Sequence, residues 1–182
     1  MLLAPMLARL AAATTVEDTL RVGLRDLVAL HGAEMGDAQM MDAQGRLVMV
    51  EAWNLSLAFL EQFASLDPAG GSVCARALRS GEPLFIANVA DDADFAPFAA
   101  FAASVPFKAV LSCPLVTTGD EVVGVISVLS ANDFRPTGLE MLSAKTYASK
   151  LADAIAARVP DRAEFAQRRA VELRRAASAL AE

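Results

Sequence analysis

The chain has 182 residues, 55% of them hydrophobic and many of those alanine, and a net charge of -6. One domain of this length buries roughly 70% of its unfolded surface, enough for a core without staples. The acidic balance argues against a nucleic-acid surface, and every long apolar run is broken by Arg, Asp, Ser or Gly, so none is expected to span a membrane. Two cysteines, Cys74 and Cys113, make no disulfide framework, and a cytoplasmic, reducing location fits best.

Residues 1–13 are apolar, lack a basic leading segment and are interrupted by Arg9. They read as a short helical extension, with a signal peptide as the alternative. Thr14 and Glu17 form a T-x-x-E capping box, and Leu20, Leu24, Leu27 and Val28 follow at helical spacing, predicting a helix over Val16–His31 that Gly32 can end. His31 falls at its C-terminal end and reads as a helix-end histidine. Gly36–Asp42 and Arg46–Trp53 flank Ala43-Gln44-Gly45 and predict a hairpin. Simple alternation in the second arm sets Leu47, Met49 and Glu51 against Val48, Val50 and Ala52.

Next come a helix over Leu57–Leu66, a breaker at residues 67–71, a helix Val73–Arg79 capped by Ser72 and closed by Gly81, and a strand Leu84–Val89. One aspartate of Asp91, Asp92 and Asp94 is expected to cap a helix Phe95–Ala103. The apolar runs Ala109–Val116 and Val122–Leu129 flank Thr117-Thr118-Gly119-Asp120, a second hairpin at the centre of the expected sheet. A capping box at Thr137 and Glu140 opens a long helix with Leu142, Ala148, Leu151, Ala152, Ile155 and Val159 on one face, ending at Pro160. A last helix, Asp161–Leu180, carries Val159, Ala163, Ala166, Ala170, Leu173, Ala177 and Leu180 as a heptad seam. The division expected is a helical extension over 1–13, a domain over 14–159 and a C-terminal helix over 160–182. Mixed helices and hairpins predict an α+β domain with a mainly antiparallel sheet of five or six strands.

Nucleophilic catalysis by serine or cysteine needs a nearby imidazole, and the single histidine lies on an early helix. One histidine and two dispersed cysteines offer no zinc set, and no phosphate-binding loop of the G-x-x-x-x-G-K type is present. Gly70-Gly71-Ser72 opening a helix is either an anion site or a turn with an N-cap. Phe95, Phe98 and Phe101 recur every three residues and line either a pocket or a core, and Trp53 walls a pocket or covers the sheet. Ser112 and Ser127 are more informative. Each interrupts an apolar central strand, and a buried hydroxyl needs a partner; on the side of the short helices they would be polar contacts in a pocket. Cys74 and Cys113 read as buried apolar residues, with a redox pair as the alternative.

Three stretches resemble the GAF domain family. Gly71-Ser72-Val73-Cys74-Ala75-Arg76-Ala77, with Gly81-Glu82-Pro83 and Asn88-Val89, is similar to the family's central helix and third strand. Lys108-Ala109-Val110-Leu111-Ser112-Cys113-Pro114-Leu115 is similar to the fourth strand. Gly124-Val125-Ile126-Ser127-Val128-Leu129-Ser130, Phe134 and the long helix are similar to the fifth strand and closing helix. The resemblance implies a pocket between one face of an antiparallel sheet and short helices, and flanking helices that often form a dimer bundle. Its members bind cyclic nucleotides, bilins, haem, small acids or anions, and some reduce free methionine sulfoxide. No histidine lies near the pocket helix for a bilin, and the N-K-x-F-x-D-E type signature of cyclic-nucleotide members is missing.

The expectation is a non-catalytic sensory module that binds a small molecule and relays its presence through terminal helices to a homodimer partner or a signalling protein such as a kinase, with no cofactor, metal, nucleic acid or membrane involved. The expected pocket residues are Trp53, Cys74, Phe95, Phe98, Ser112 and Ser127. The alternatives are a ligand-free dimerisation or scaffold module and a cysteine-dependent reductase of free methionine sulfoxide.

Overall fold

The computed structural model describes residues 3–181. Helices α1 (Leu3–Ala12) and α2 (Val16–Leu30) precede a hairpin of β1 (Met35–Met41) and β2 (Leu47–Trp53). Helix α3 (Leu57–Gln62), strand β3 (Ser65–Leu66), helix α4 (Val73–Ser80) and strand β4 (Leu84–Ile86) follow. Short 3-10 turns at Val89–Asp91 and Ala93–Phe98 lead to α5 (Ala99–Ala102). The hairpin β5 (Ala109–Val116) and β6 (Val122–Ser130) precedes α6 (Gly138–Arg158) and α7 (Arg162–Ala181). The six strands form one antiparallel sheet in the order β3-β2-β1-β6-β5-β4, as expected for an α+β fold. Among the described residues, no helix is long and apolar enough to cross a membrane.

Most punctuation falls where local chemistry requires it. Ser72 caps α4 and left-handed Gly81 ends it; Thr137 and Glu140 form the capping box of α6. The cap of α2 is Thr15, one residue later than expected, with its hydroxyl accepting from the Asp18 N–H. Pro160 sits outside both flanking helices, and Asp161 caps α7 by accepting from the Glu164 N–H. The helix expected over residues 57–66 stops at Gln62, because Ser65 and Leu66 pair with Val48 and Leu47 as an edge strand. The strand expected to reach Val89 ends at Ile86, where the chain turns into the first 3-10 segment.

Both sheet faces are covered. On one, Leu20, Leu24 and Leu27 of α2 and Leu151 and Ile155 of α6 pack on Met40, Val50, Leu111, Leu115 and Ile126. On the other, Phe59 of α3 and Phe63 at its C-terminal end, with Val73 and Cys74 of α4, pack on Leu47, Met49, Val110, Val125 and Leu129. Leu142, expected on the buried face of α6, is 61% exposed; the interior positions are held by Ala144 and Tyr147 instead. The terminal helices join these cores. Met6 and Leu10 of α1, and Phe165, Ala166 and Ala170 of α7, lie in the first; Leu173 and Ala177 reach the second. The heptad seam of α7 therefore lies largely on the chain's own sheet. Small alanines allow this, because they let a helix backbone approach β2 closely.

A β-bulge decides the side-chain parity of the first hairpin. Ala38 pairs with Glu51 but Gln39 with Met49, so β2 carries one extra residue. Before it, Leu47 and Met49 face the short helices; beyond it, Ala52 does so. Simple alternation fails here, and Trp53 turns to the α2 side, where the Arg25 guanidinium lies 4.4 Å over its ring.

Candidate functional site

A polar row crosses the middle of the sheet on the face beneath the short helices. In register, Asp37 of β1 stands beside Ser127 of β6, which stands beside Ser112 of β5. All three are buried. The two serine hydroxyls hydrogen-bond to each other at 2.8 Å, which satisfies the pair and leaves one hydroxyl proton to donate elsewhere. Gln39, two residues along β1 and hence on the same face, extends the row.

This row floors a small cavity of about 30 Å³, lined also by Ser72, the cap of α4, by Cys74 within that helix and by Phe59, Phe63, Phe95 and Phe107. Of the residues expected at a pocket, Cys74, Phe95, Ser112 and Ser127 line it. Phe98 stands one layer back, its ring centroid 5.3 Å from Phe63 and 5.1 Å from Phe95. Trp53 is not there, because the bulge sends it to the opposite face. Asp37 and Gln39 were not among the expected residues. Their signal is the alternation in Met35-Gly36-Asp37-Ala38-Gln39-Met40, where both polar side chains share one face of a strand that is otherwise apolar.

The roof comes from the segment between β4 and β5. The expected single helix over Phe95–Ala103 is a 3-10 turn containing Pro97, followed by one α-turn. A three-residue aromatic repeat is the 3-10 period, in which positions i and i+3 eclipse. Asp92 caps the turn, accepting from the N–H groups of Asp94 and Phe95, and the Arg76 guanidinium of α4 donates to both its oxygens at 2.8 and 2.9 Å. Partial burial alone would raise the Asp92 pKa, but Arg76 and the two N–H donors lower it on balance. Gly71 completes the anchor. A Cβ there would collide with the Asp94 carbonyl. Gly70-Gly71-Ser72 is thus a close-packed turn and N-cap, with the backbone carbonyls of Asp67 and Asp94 against the glycines.

Arg76→Ala should loosen the roof while leaving the sheet in place. We expect amide exchange over residues 92–103 to speed up about tenfold, with β5 and β6 unchanged. Hydrogen exchange read by mass spectrometry checks this, and an unchanged 92–103 segment would remove Arg76 as its anchor.

Burial sets the acid–base character of the cavity. It pushes the Asp37 pKa up to about 7, with no cation facing the carboxylate. It also pushes the Cys74 thiol up to about 12, reinforced by the charge of Asp37. Cys74 Sγ lies 3.2 Å from Ser72 Oγ. Cys113 is likewise pushed up to about 12 by burial, but it lies on the other face of the sheet, in the core under α2 and α6. His31 is buried beside Phe134 at the end of α2, away from both cysteines, and burial lowers its pKa. Among the described residues, no three His, Cys, Asp or Glu side chains cluster to hold a metal.

The sequence pattern of the GAF domain matches residues 13–156. The chain belongs to the GAF domain family, whose members serve mainly as sensory and regulatory domains. Comparison with curated proteins returned no match. Among solved structures, the chain is similar to the GAF domain of a phosphoenolpyruvate-protein phosphotransferase from Coxiella burnetii, at 18% identity and a TM-score of 0.72, covering 86% of this chain and 91% of that one. It is also similar to the free methionine-R-sulfoxide reductase of Neisseria meningitidis, at 18% identity and a TM-score of 0.69, covering 86% and 87%. The GAF-B domain of DevS from Mycobacterium smegmatis matches at 21% identity and a TM-score of 0.58, covering 76% and 91%. These likenesses establish the fold.

Proposed function

We propose that this chain is a non-catalytic GAF sensor whose small-molecule site is the cavity between the Asp37–Ser127–Ser112 row and the phenylalanine roof. The observation that carries this reading is the row itself, a line of buried polar groups placed where packing alone would favour apolar ones. The cavity as it stands holds about two water-sized groups. A larger ligand enters by lifting the roof segment that Arg76 and Asp92 anchor.

A short path supports relay to the C-terminal helix. Ala38, between Asp37 and Gln39, pairs in register with Glu51, and the Glu51 carboxylate accepts from Arg169 of α7 at 3.2 Å. A shift of β1 and β2 on ligand binding would bias the seat of α7, a population shift rather than a chemical step. A kinase or other regulator joined to that helix is the partner this supports.

The reductase reading lacks support from the cysteines. They sit on opposite faces of the sheet, so they cannot form a disulfide without unfolding it, and both thiols are poor nucleophiles at neutral pH. The small volume of the cavity favours one competitor, a ligand-free structural module.

Amide NMR of the full chain against a panel of small metabolites separates the two. A ligand should move the resonances of Cys74, Phe95 and Ser127 together with those of Arg169 and its neighbours on α7. A panel that moves none of them would leave the structural module standing.

A further inference from the structure

Two acceptors in the cavity lack a donor. Asp37 Oδ1 and Gln39 Oε1 are buried without a hydrogen-bond partner among the described residues. The two residues are only 4% and 1% exposed, and both line the same small space. Leaving such groups bare costs roughly 1–3 kcal/mol each, and more for a charge, so a fold that keeps two of them together invites an occupant that donates. Of the other polar groups, Ser72 is engaged with Cys74, and the Ser112–Ser127 pair keeps a single spare hydroxyl proton, too few for both acceptors. No lysine, arginine or histidine lines the cavity on any element around it. Asp37 is its one carboxylate, and the opposing wall is made of phenylalanine rings.

That combination selects a ligand class. A carboxylate and an amide oxygen on the floor accept N–H bonds from a cation, and aromatic rings opposite attract positive charge through their quadrupoles. An anion would meet Asp37, and a ligand without N–H or O–H groups would leave both acceptors bare. The volume admits an ammonium group and about one carbon before the roof at Phe95 must move. We propose that the cavity binds a compact organic ammonium, with its N–H groups on Asp37 and Gln39 and its carbon against the phenylalanine wall. This rests on the reading of the cavity as a ligand site and adds the charge and size of what it takes.

Calorimetry and amide NMR on the full chain at pH 8 test it, using methylammonium and ethylammonium chloride, with methanol, ethanol and sodium acetate as neutral and anionic counterparts at matched ionic strength. The expected result is saturable binding of the ammonium ions, at least tenfold tighter than the alcohols, with shifts at Cys74 and Ser127. Asp37→Asn, which keeps an oxygen but not the charge, should weaken that binding at least tenfold. Lowering the pH to 5.5 should weaken it roughly thirtyfold, because a carboxyl of pKa about 7 is then mostly protonated. Cys74 is the other titratable group lining the cavity and stays neutral throughout this range.

Alcohols or acetate binding as well as the ammonium ions would overturn the ligand class and leave the ligand site in place. Ammonium binding that survives Asp37→Asn or is flat with pH would overturn the assignment to Asp37. Silence from every compound, with water the sole occupant, would overturn the proposal; silence from the wider metabolite panel as well would overturn the ligand site beneath it.

Discussion

Stability should fall as the pH rises, through Asp37 alone, by about 4 kcal/mol at full effect and by about 2.5 kcal/mol of that between pH 5 and pH 8. In the folded chain burial holds the carboxyl near 7, while in the unfolded chain it titrates near 3.8. Between those values the folded state binds the extra proton, so each step up in pH favours unfolding until both states are ionised. His31 acts with the opposite sign. Burial lowers its pKa, so the unfolded chain takes up the proton first and stability is lost as the pH drops below about 6.5. The difference between wild type and Asp37→Asn isolates the carboxylate, because His31 is common to both. Urea unfolding midpoints across pH 5–8 should converge at the acid end and separate toward pH 8, with the variant the more stable. Parallel curves would mean that Asp37 is solvated or paired in solution, and the ammonium site would lose its charge along with them.

The second large effect is expected at the join between the terminal helices. Asp26 of α2 accepts from the Tyr147 hydroxyl of α6 at 2.6 Å and from Arg9 Nε of α1 at 2.8 Å. Tyr147 is fully buried, so Asp26→Ala strands its hydroxyl in an apolar core at a cost of about 2–3 kcal/mol. Tyr147→Phe removes donor and demand together on that side and should cost less. The same Asp26→Ala change frees α1 from its polar anchor, so amides of residues 3–12 should exchange faster than the global loss of stability explains. Chemical denaturation and hydrogen exchange check both parts. An Asp26→Ala cost no larger than that of Tyr147→Phe would show that water reaches the hydroxyl and that the three-helix join is not closed.

Tyr147 illustrates what an apolar pattern conceals. The repeat in α6 selects one helical face, but Leu142 on that face is solvent-exposed, whereas the polar Tyr147 is buried because Asp26 lies opposite its hydroxyl. Nothing local to either residue announces a partner more than a hundred positions away. The α7 seam is similar. Its heptad spacing was legible, but spacing cannot tell a second copy from the chain's own β2.

The local sequence determined the elements that depend on neighbours a few residues apart. These are the two hairpins, the caps at Ser72 and Thr137, the stop at Gly81, and the polar interruptions at Ser112 and Ser127 in apolar strands. Only the tertiary structure decided which of these meet. Register across β1, β6 and β5 aligned Asp37 with the serine pair, and one extra residue in β2 removed Trp53 from their side. Strand pairing is set by contacts distant in sequence, and side-chain direction reverses with every residue, so a single bulge is enough to exchange what lies inside the cavity for what lies behind it.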